Sequence, residues 1–157
     1  MRRIVAKLAI GVAITAIGLL GADSSLGTWK YNPAKSKITT GTYPVKSRTE
    51  VWEATPDGGV KVTRTQQNAD GTTINFTYTF KYDGKEYPVT GGPFDTISAK
   101  RVNANTASFE VVKKTDGTYH QTGRNVISKD GKTKTLTAKG TDAAGKPIVA
   151  TVVFDKQ

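Results

Sequence analysis

The sequence predicts an all-β protein whose antiparallel up-and-down meander closes into a barrel of about 8–10 strands. Turn signals divide the chain at short and nearly even intervals. Between them, apolar and polar residues alternate with a period of two, and β-branched and aromatic residues dominate. A meander this long must hide its edge strands, and closure into a barrel does so. A flattened two-sheet sandwich uses the same hairpins and is the alternative.

The first residues do not belong to this pattern. Arg2 and Arg3 precede an apolar run from Leu8 to Leu20, which is shorter than the roughly 20 residues needed to span a bilayer. Small residues follow the run. This layout predicts a secretory signal peptide over residues 1–24, and no transmembrane segment once it is removed.

The small residues at the end of this leader allow two cleavage sites. Cleavage after Ser24 places the small residue Ala22 two positions before the last leader residue. Cleavage after Ala22 places the less suitable Leu20 at the equivalent position. In either case we expect one β-barrel domain over residues 25–157.

Composition limits both the compartment and the chemistry. The 157 residues include no Cys, one His and 23 Lys or Arg against 13 Asp or Glu, which gives a net charge of +10. Without Cys there is no disulfide, no thiolate metal site and no thiol nucleophile. A basic, cysteine-free, exported chain fits the periplasm or the exterior of a bacterial cell, where it would meet anionic envelope surfaces.

Turn sequences punctuate the rest of the chain. Five of them are Asp-Gly, which supplies the positive φ angles that tight hairpins require and so indicates antiparallel neighbours. The full set is Asp57-Gly58, Asp70-Gly71, Asp83-Gly84, Gly91-Gly92-Pro93, Asn103-Ala104-Asn105, Asp116-Gly117, Asp130-Gly131 and Ala144-Gly145.

The segments between these turns predict strands. Residues 73–82 alternate without a break, which a helix cannot do, and Val60, Val62 and Arg64 share one face of the preceding strand. Only residues 32–47 have room for helix, where Asn32 could cap a short turn. The ten predicted strands lie near residues 27–31, 48–54, 59–68, 73–82, 85–89, 94–101, 106–113, 118–127, 132–140 and 147–155.

A family resemblance rests on both ends of this domain. The domain opens with Gly27-Thr28-Trp29-Lys30 and carries Arg124 late in the chain. It resembles the calycin superfamily of lipocalins and fatty-acid-binding proteins, and exported bacterial domains that open with Gly-Thr-Trp-Lys. The resemblance implies that Gly27 and Trp29 close the base of the barrel. It also implies that Arg124 lies near Trp29 or inside the cavity, either stacked on the indole or facing an anionic group.

The chain also departs from that pattern. Val152, Val153 and Phe154 stand where many fatty-acid-binding proteins carry an Arg-x-Tyr pair that holds a carboxylate. The segment after the first strand is too short for a two-helix lid, and no C-terminal helix follows Phe154. The resemblance therefore carries over only Arg124 as a polar contact.

The candidate ligand-binding residues lie on two strands. Phe76, Tyr78 and Phe80 form an aromatic stripe that would line a cavity or fill the core. His120 shares a strand face with Arg124 and Val126, so all three point inward if Val126 does. We expect His120 and Arg124 to supply the polar contact to a ligand.

Several function classes lack their sequence signatures. There is no nucleophile elbow, phosphate loop or zinc-protease motif, so we expect no catalytic site, no metal and no cofactor. No aromatic residues are interleaved with the lysine cluster from Lys129 to Lys139, so we expect no nucleic-acid partner.

These observations predict a monomeric, exported, lipocalin-like carrier that binds a small apolar or amphipathic molecule. The alternative is a non-catalytic structural or interaction domain of the cell envelope. That domain would have a filled core and would use its basic surface on anionic lipid or polymer.

Overall fold

The computed structural model describes residues 23–157, and the predicted leader up to Ala22 lies outside the described residues. The described chain forms one sheet of ten antiparallel strands. They are β1 (Gly27–Thr40), β2 (Val45–Ala54), β3 (Val60–Asn68), β4 (Thr73–Phe80), β5 (Asp83–Pro88), β6 (Thr96–Asn103), β7 (Thr106–Val112), β8 (His120–Ile127), β9 (Thr133–Thr141) and β10 (Pro147–Lys156).

The strand order wraps the meander into a nearly closed barrel. Every strand pairs with its sequence neighbours except β4 and β5, and one further pairing closes the order. The first strand pairs with the last, because β1 lies between β2 and β10. The two ends of the sheet, β4 and β5, meet at a single bridge between Tyr78 and Val89. The predicted all-β meander closed into a barrel is therefore confirmed, and the sandwich is not what forms.

The first strand is longer than its sequence predicts. It continues to Thr40, with an irregularity in its pairing to β10 between Asn32 and Lys37. The expected cap is present, because Asn32 Oδ1 accepts a hydrogen bond from the Lys35 backbone N–H at 3.1 Å. The turn does not continue as a helix, because Ser36 Oγ accepts a hydrogen bond from the Val153 backbone N–H at 2.9 Å. This bond holds the segment against β10. A bulge takes the place of the expected helical turn.

Four of the five Asp-Gly turns join paired antiparallel strands, as predicted, but Asp83-Gly84 does not, because it lies at the start of β5 and β5 does not pair with β4 as a hairpin. The five glycines have φ between 68° and 87°, a region that side chains with a Cβ rarely adopt. In several of these turns the aspartate also accepts the backbone N–H two residues on, as Asp70 does from Thr72 at 2.9 Å. In the other four turns, local sequence therefore determines where the hairpin reverses.

The core of the barrel is formed by the inward-facing side chains of its strands. Trp29, Val62, Val152 and Phe154 are fully buried. The aromatic stripe of β4 joins the same core. Within the described part of the chain, no helix is long and apolar enough to span a membrane.

Candidate ligand-binding site

A cavity of about 70 Å³ lies inside the barrel. Its wall combines aromatic rings with ionised groups, which is unusual for a core of this size. The residues that matter for its chemistry are Tyr43, Arg48, Glu50, Trp52, Arg64 and Tyr78.

Strand alternation brings the charged residues to the same face. Arg48, Glu50 and Trp52 are two residues apart along β2, so all three point inward. Arg64 of β3 lies directly opposite Glu50 in the antiparallel register. Lys134 reaches the same place from β9. One inner wall of the barrel therefore carries a compact charged cluster, consisting of Arg48, Glu50, Arg64 and Lys134.

The Glu50 carboxylate is the centre of this cluster, and its side chain is 1% exposed. Its Oε1 accepts hydrogen bonds from Arg48 Nε at 2.7 Å and Arg48 Nη2 at 2.5 Å, and it lies 3.0 Å from Arg64 Nη2. Its Oε2 accepts from Lys134 Nζ at 2.5 Å and from Trp52 Nε1 at 3.0 Å. Every acceptor position of the carboxylate is therefore occupied by a protein donor.

These contacts set the protonation states. Burial alone would raise the pKa of Glu50, but the positive charges of Arg48, Lys134 and Arg64 hold that pKa well below its ordinary value. Burial lowers the pKa of Lys134 to about 8, although its ion pair with Glu50 opposes the shift. At neutral pH, Glu50 is thus a carboxylate and Lys134 an ammonium ion.

The cluster does not balance its own charge. Among the described residues, the buried charged side chains are Arg48, Arg64, Lys134 and Glu50. Three positive charges and one negative charge leave a net charge of +2 inside the barrel, in surroundings that solvate charge poorly.

The two arginines differ in how completely they are satisfied. Arg48 also donates from Nη1 to the Tyr43 hydroxyl at 2.6 Å. Arg64 has one weaker contact beyond Glu50, from Nη2 to the Tyr78 hydroxyl at 3.3 Å. Its buried Nε has no hydrogen-bond partner among residues 23–157, and neither does the buried Asn125 Oδ1. Arg64 is the residue with donor capacity to spare, and it lines the cavity.

Aromatic rings support the guanidinium of Arg64. Its Cζ lies 5.1 Å from the ring centre of Phe76, 5.8 Å from that of Tyr78 and 5.9 Å from that of Phe94. Such contacts attract the cation to the ring faces without using its N–H donors. They therefore hold the guanidinium in place while its Nε has no hydrogen-bond partner among the described residues.

The structure brings the predicted aromatic stripe to the interior. Phe76, Tyr78 and Phe80 are all at least nine-tenths buried. Tyr78 and Phe80 line the cavity, while Phe76 packs behind Arg64 and against Phe94.

The orientation expected for His120 and Arg124 requires correction. Both side chains are exposed on the outer face of β8, and His120 Nε2 pairs there with Glu110 Oε1 at 2.7 Å. The expectation assumed that Val126 points inward, but Val126 is 40% exposed and its neighbour Ile127 is buried. Neither His120 nor Arg124 lies beside Phe76, Tyr78 and Phe80.

Trp29, which the resemblance places at the base of the barrel, is fully buried. Its Nε1 donates to the Ser25 carbonyl at 2.8 Å. Lys134 Nζ and Lys156 Nζ lie 5.4 Å and 5.1 Å from the indole, so two lysines occupy the place that the resemblance assigns to Arg124. Gly27 is favoured beside them because its φ is 123°, a backbone conformation that residues with a Cβ rarely adopt.

Sequence reasoning missed most of the charged cluster. Arg48 and Glu50 alternate with Trp52, and Arg64 alternates with Val60 and Val62, so each shares a face with buried apolar residues. That alternation is the one local signal that marks them as inward-facing.

Comparison with known proteins addresses the fold. No protein-family model and no curated protein matches the sequence. Two single-residue mutants of the fluorescent protein UnaG have similar structures, with TM-scores of 0.56 and 0.57 at 13% and 15% identity over 85% of this chain and 96% of theirs. As-p18, an extracellular fatty acid binding protein, gives a TM-score of 0.53 at 16% identity over 86% of this chain and 97% of its own. With its ten-stranded, nearly closed meander, the chain has a calycin-like β-barrel fold.

Proposed function

We propose that this protein is an exported, non-catalytic carrier that binds a small amphipathic molecule bearing a negatively charged group. The observation that carries the proposal is the unpartnered Nε of Arg64, buried in the wall of an interior cavity whose charged cluster has a net charge of +2. The leader over residues 1–24 supports export to the periplasm or the exterior.

The charge selects the ligand's polar group. A buried donor without an acceptor costs about 1–3 kcal/mol, and an excess of buried positive charge costs more. A carboxylate near Arg64 would accept from Nε and reduce the excess charge. An amine or other cation would increase it.

The walls and the volume select the rest of the ligand. Trp52, Tyr78 and Phe80 present apolar surface to the cavity, which suits a short alkyl group. A volume of about 70 Å³ holds about five to seven water-sized groups, at roughly 10–15 Å³ for each one. A short-chain acid fits this space, whereas an aromatic acid or a long acyl chain is too large.

The test compares two ligands that differ in charge and little in shape. Butyrate and butyramide are titrated into the purified mature protein and followed by calorimetry and by ligand-observed NMR. We expect butyrate to bind at least about tenfold more tightly, which corresponds to one charge-assisted hydrogen bond. Equal binding of the two, or binding of neither, would contradict the proposal.

Two protein variants locate the site. Arg64→Met keeps an unbranched apolar side chain but removes the donors, and it should remove the preference for butyrate over butyramide. Arg124→Met makes the same change on the outer face of β8 and should leave both affinities unchanged. A loss of preference in Arg124→Met alone would place the site on the outer surface.

The envelope-domain alternative predicts a different result. A filled core would bind neither compound, while the basic surface would bind anionic vesicles with an affinity that falls steeply as salt screens exposed charges. The same protein sample, tested with vesicles of phosphatidylglycerol at two salt concentrations, distinguishes the two functions.

A further inference from the structure

We propose that leader removal leaves Asp23, and not Ser25, as the first residue of the mature protein. The inference rests on the proposed export and is independent of what the cavity binds. It comes from the contacts of residues 23–25, which form part of the base of the barrel.

Asp23 is tied to the barrel through its side chain and its backbone. Its Oδ2 forms an ion pair with Arg101 Nη2 of β6 at 2.6 Å. Its Oδ1 accepts from Ser25 N at 3.0 Å and from Ser25 Oγ at 2.7 Å, and its carbonyl accepts the Leu26 N–H at 3.0 Å. Arg101 in turn lies 3.8 Å above the ring of Tyr82.

The next two residues continue the same connection. The Ser24 carbonyl accepts from Lys156 Nζ at 3.3 Å, which holds the last strand. Ser25 is buried, with 4% of its surface exposed, and its carbonyl accepts the indole N–H of Trp29 at 2.8 Å. The segment thus links β6, β10 and the buried Trp29 at one end of the barrel.

Cleavage after Ser24 would damage this end in two ways. It would remove the partners of Arg101 and Lys156, together with three hydrogen bonds that Asp23 accepts within the turn. It would also place a new α-ammonium group on Ser25, at the end of the barrel where Arg101 and Lys156 would have lost their acceptors. A third positive charge near two that have lost their partners is unfavourable.

Cleavage after Ala22 avoids both effects. The new α-ammonium group then lies on Asp23, which is only half-buried, and all the contacts of Asp23 and Ser24 remain. The residues before the cut favour the other site, because Ala22 and Ser24 are both small whereas Leu20 is not. The contacts of the folded domain thus favour cleavage after Ala22, whereas the residues before the cut favour cleavage after Ser24. The mass of the processed protein distinguishes the two.

The first experiment measures the product of processing. The full chain is expressed with its own leader in a Gram-negative host, and the intact mass of the exported protein is determined. A mass that begins at Asp23 supports the inference, and a mass that begins at Ser25 or elsewhere overturns it. A mass that begins at Met1 overturns export by cleavage as well, and it leaves the ligand experiments on the purified domain unaffected.

The second experiment tests the physical reason. Two chains, one starting at Asp23 and one at Ser25, are released from a fusion partner without extra residues, and their thermal unfolding is compared. We expect the chain that starts at Ser25 to melt about 5 °C lower or more. Equal melting temperatures would overturn the reasoning.

Matched variants of the longer chain separate charge from length. Asp23→Ala removes the ion pair with Arg101 while keeping the backbone, and it should reproduce most of the decrease. Ser24→Ala removes only a weak hydroxyl contact to Asn105 at 3.4 Å and should change the melting temperature little. A larger decrease in Ser24→Ala than in Asp23→Ala would contradict the assigned role of Asp23.

Discussion

Glu50 of β2 and Lys134 of β9 are 84 residues apart in the sequence, and their charged groups meet 2.5 Å apart in the interior of the barrel. The carboxylate is 1% exposed and the ammonium group is fully buried. The ammonium group also lies 4.3 Å from the ring centre of Trp52 and 4.5 Å from that of Phe154. A long-range ion pair inside an aromatic cage thus joins opposite halves of the meander.

The two members of this pair should differ in what they contribute to stability. Glu50→Gln leaves three buried cations without an anion, so we expect a loss of about 3–5 kcal/mol in the free energy of unfolding. Lys134→Met leaves the carboxylate paired with Arg48 and Arg64, so we expect a smaller loss of about 1–3 kcal/mol. Urea denaturation of the three proteins measures both values, and the reverse order would contradict the cluster's net positive charge.

Acid should weaken the protein through Glu50. The folded pKa lies well below the ordinary value of 4.5, so the unfolded state binds a proton that the folded state does not. The stabilisation is complete above pH 4.5 and is lost as the pH falls through the folded pKa. The difference in unfolding free energy between wild type and Glu50→Gln should therefore shrink between about pH 5 and pH 3. A difference that stays constant would show that Glu50 does not titrate in this way.

A rise in pH above about 8 should stabilise the protein through Lys134. Its folded pKa is about 8 and its ordinary value is 10.5, so between these values only the unfolded state keeps the proton. Its contribution should make wild type more stable as the pH rises, at a slope of at most about 1.4 kcal/mol per pH unit. Lys134→Met should lack this rise. Parallel curves for the two proteins between pH 8 and pH 10 would contradict the assignment.

The outer face of β8 should tolerate change. His120 and Glu110 form an exposed pair, with side chains 51% and 48% exposed, and Arg124 is exposed beside them. We expect His120→Ala and Arg124→Ala each to change the free energy of unfolding by less than about 0.5–1 kcal/mol. Tryptophan fluorescence should also stay unchanged in both variants, whereas Lys134→Met should shift it. A shift in Arg124→Ala would mean that the guanidinium does reach Trp29.

The features predicted correctly from the sequence are those that depend on interactions between neighbouring residues. Four of the five Asp-Gly hairpins and the alternation of β4 are determined by neighbouring residues, and both were predictable. The hairpin expected at Asp83-Gly84 was wrong, because β5 pairs with β6 and not with β4. Asn32 was also recognised as a cap, but the bulge it begins depends on Ser36 meeting Val153 of β10, a contact between residues 117 apart. No local pattern reports such a partner.

The sequence also could not predict which residues of β8 point inward. Val126 and Ile127 are both apolar, so alternation fits either orientation. The structure buries Ile127 and exposes Val126, and the orientation of Arg124 follows from that. The charged residues share a strand face with apolar residues, but single charged residues on a strand are ordinarily solvated, so the sequence did not predict their burial. Only the pairing of β2 with β3, together with the approach of β9, shows that Arg48, Glu50, Arg64 and Lys134 neutralise one another in part.

The seam between β4 and β5 joins two properties of the barrel in one residue. Tyr78 makes the backbone bridge to Val89 that holds the edges together, and its hydroxyl accepts from Arg64 at the cavity wall. Parting the edges breaks one bridge, whereas opening the barrel anywhere else breaks a whole ladder of backbone hydrogen bonds. The weakest line of the wall therefore runs past the guanidinium with the free donor, so access to the interior and recognition of charge depend on the same tyrosine.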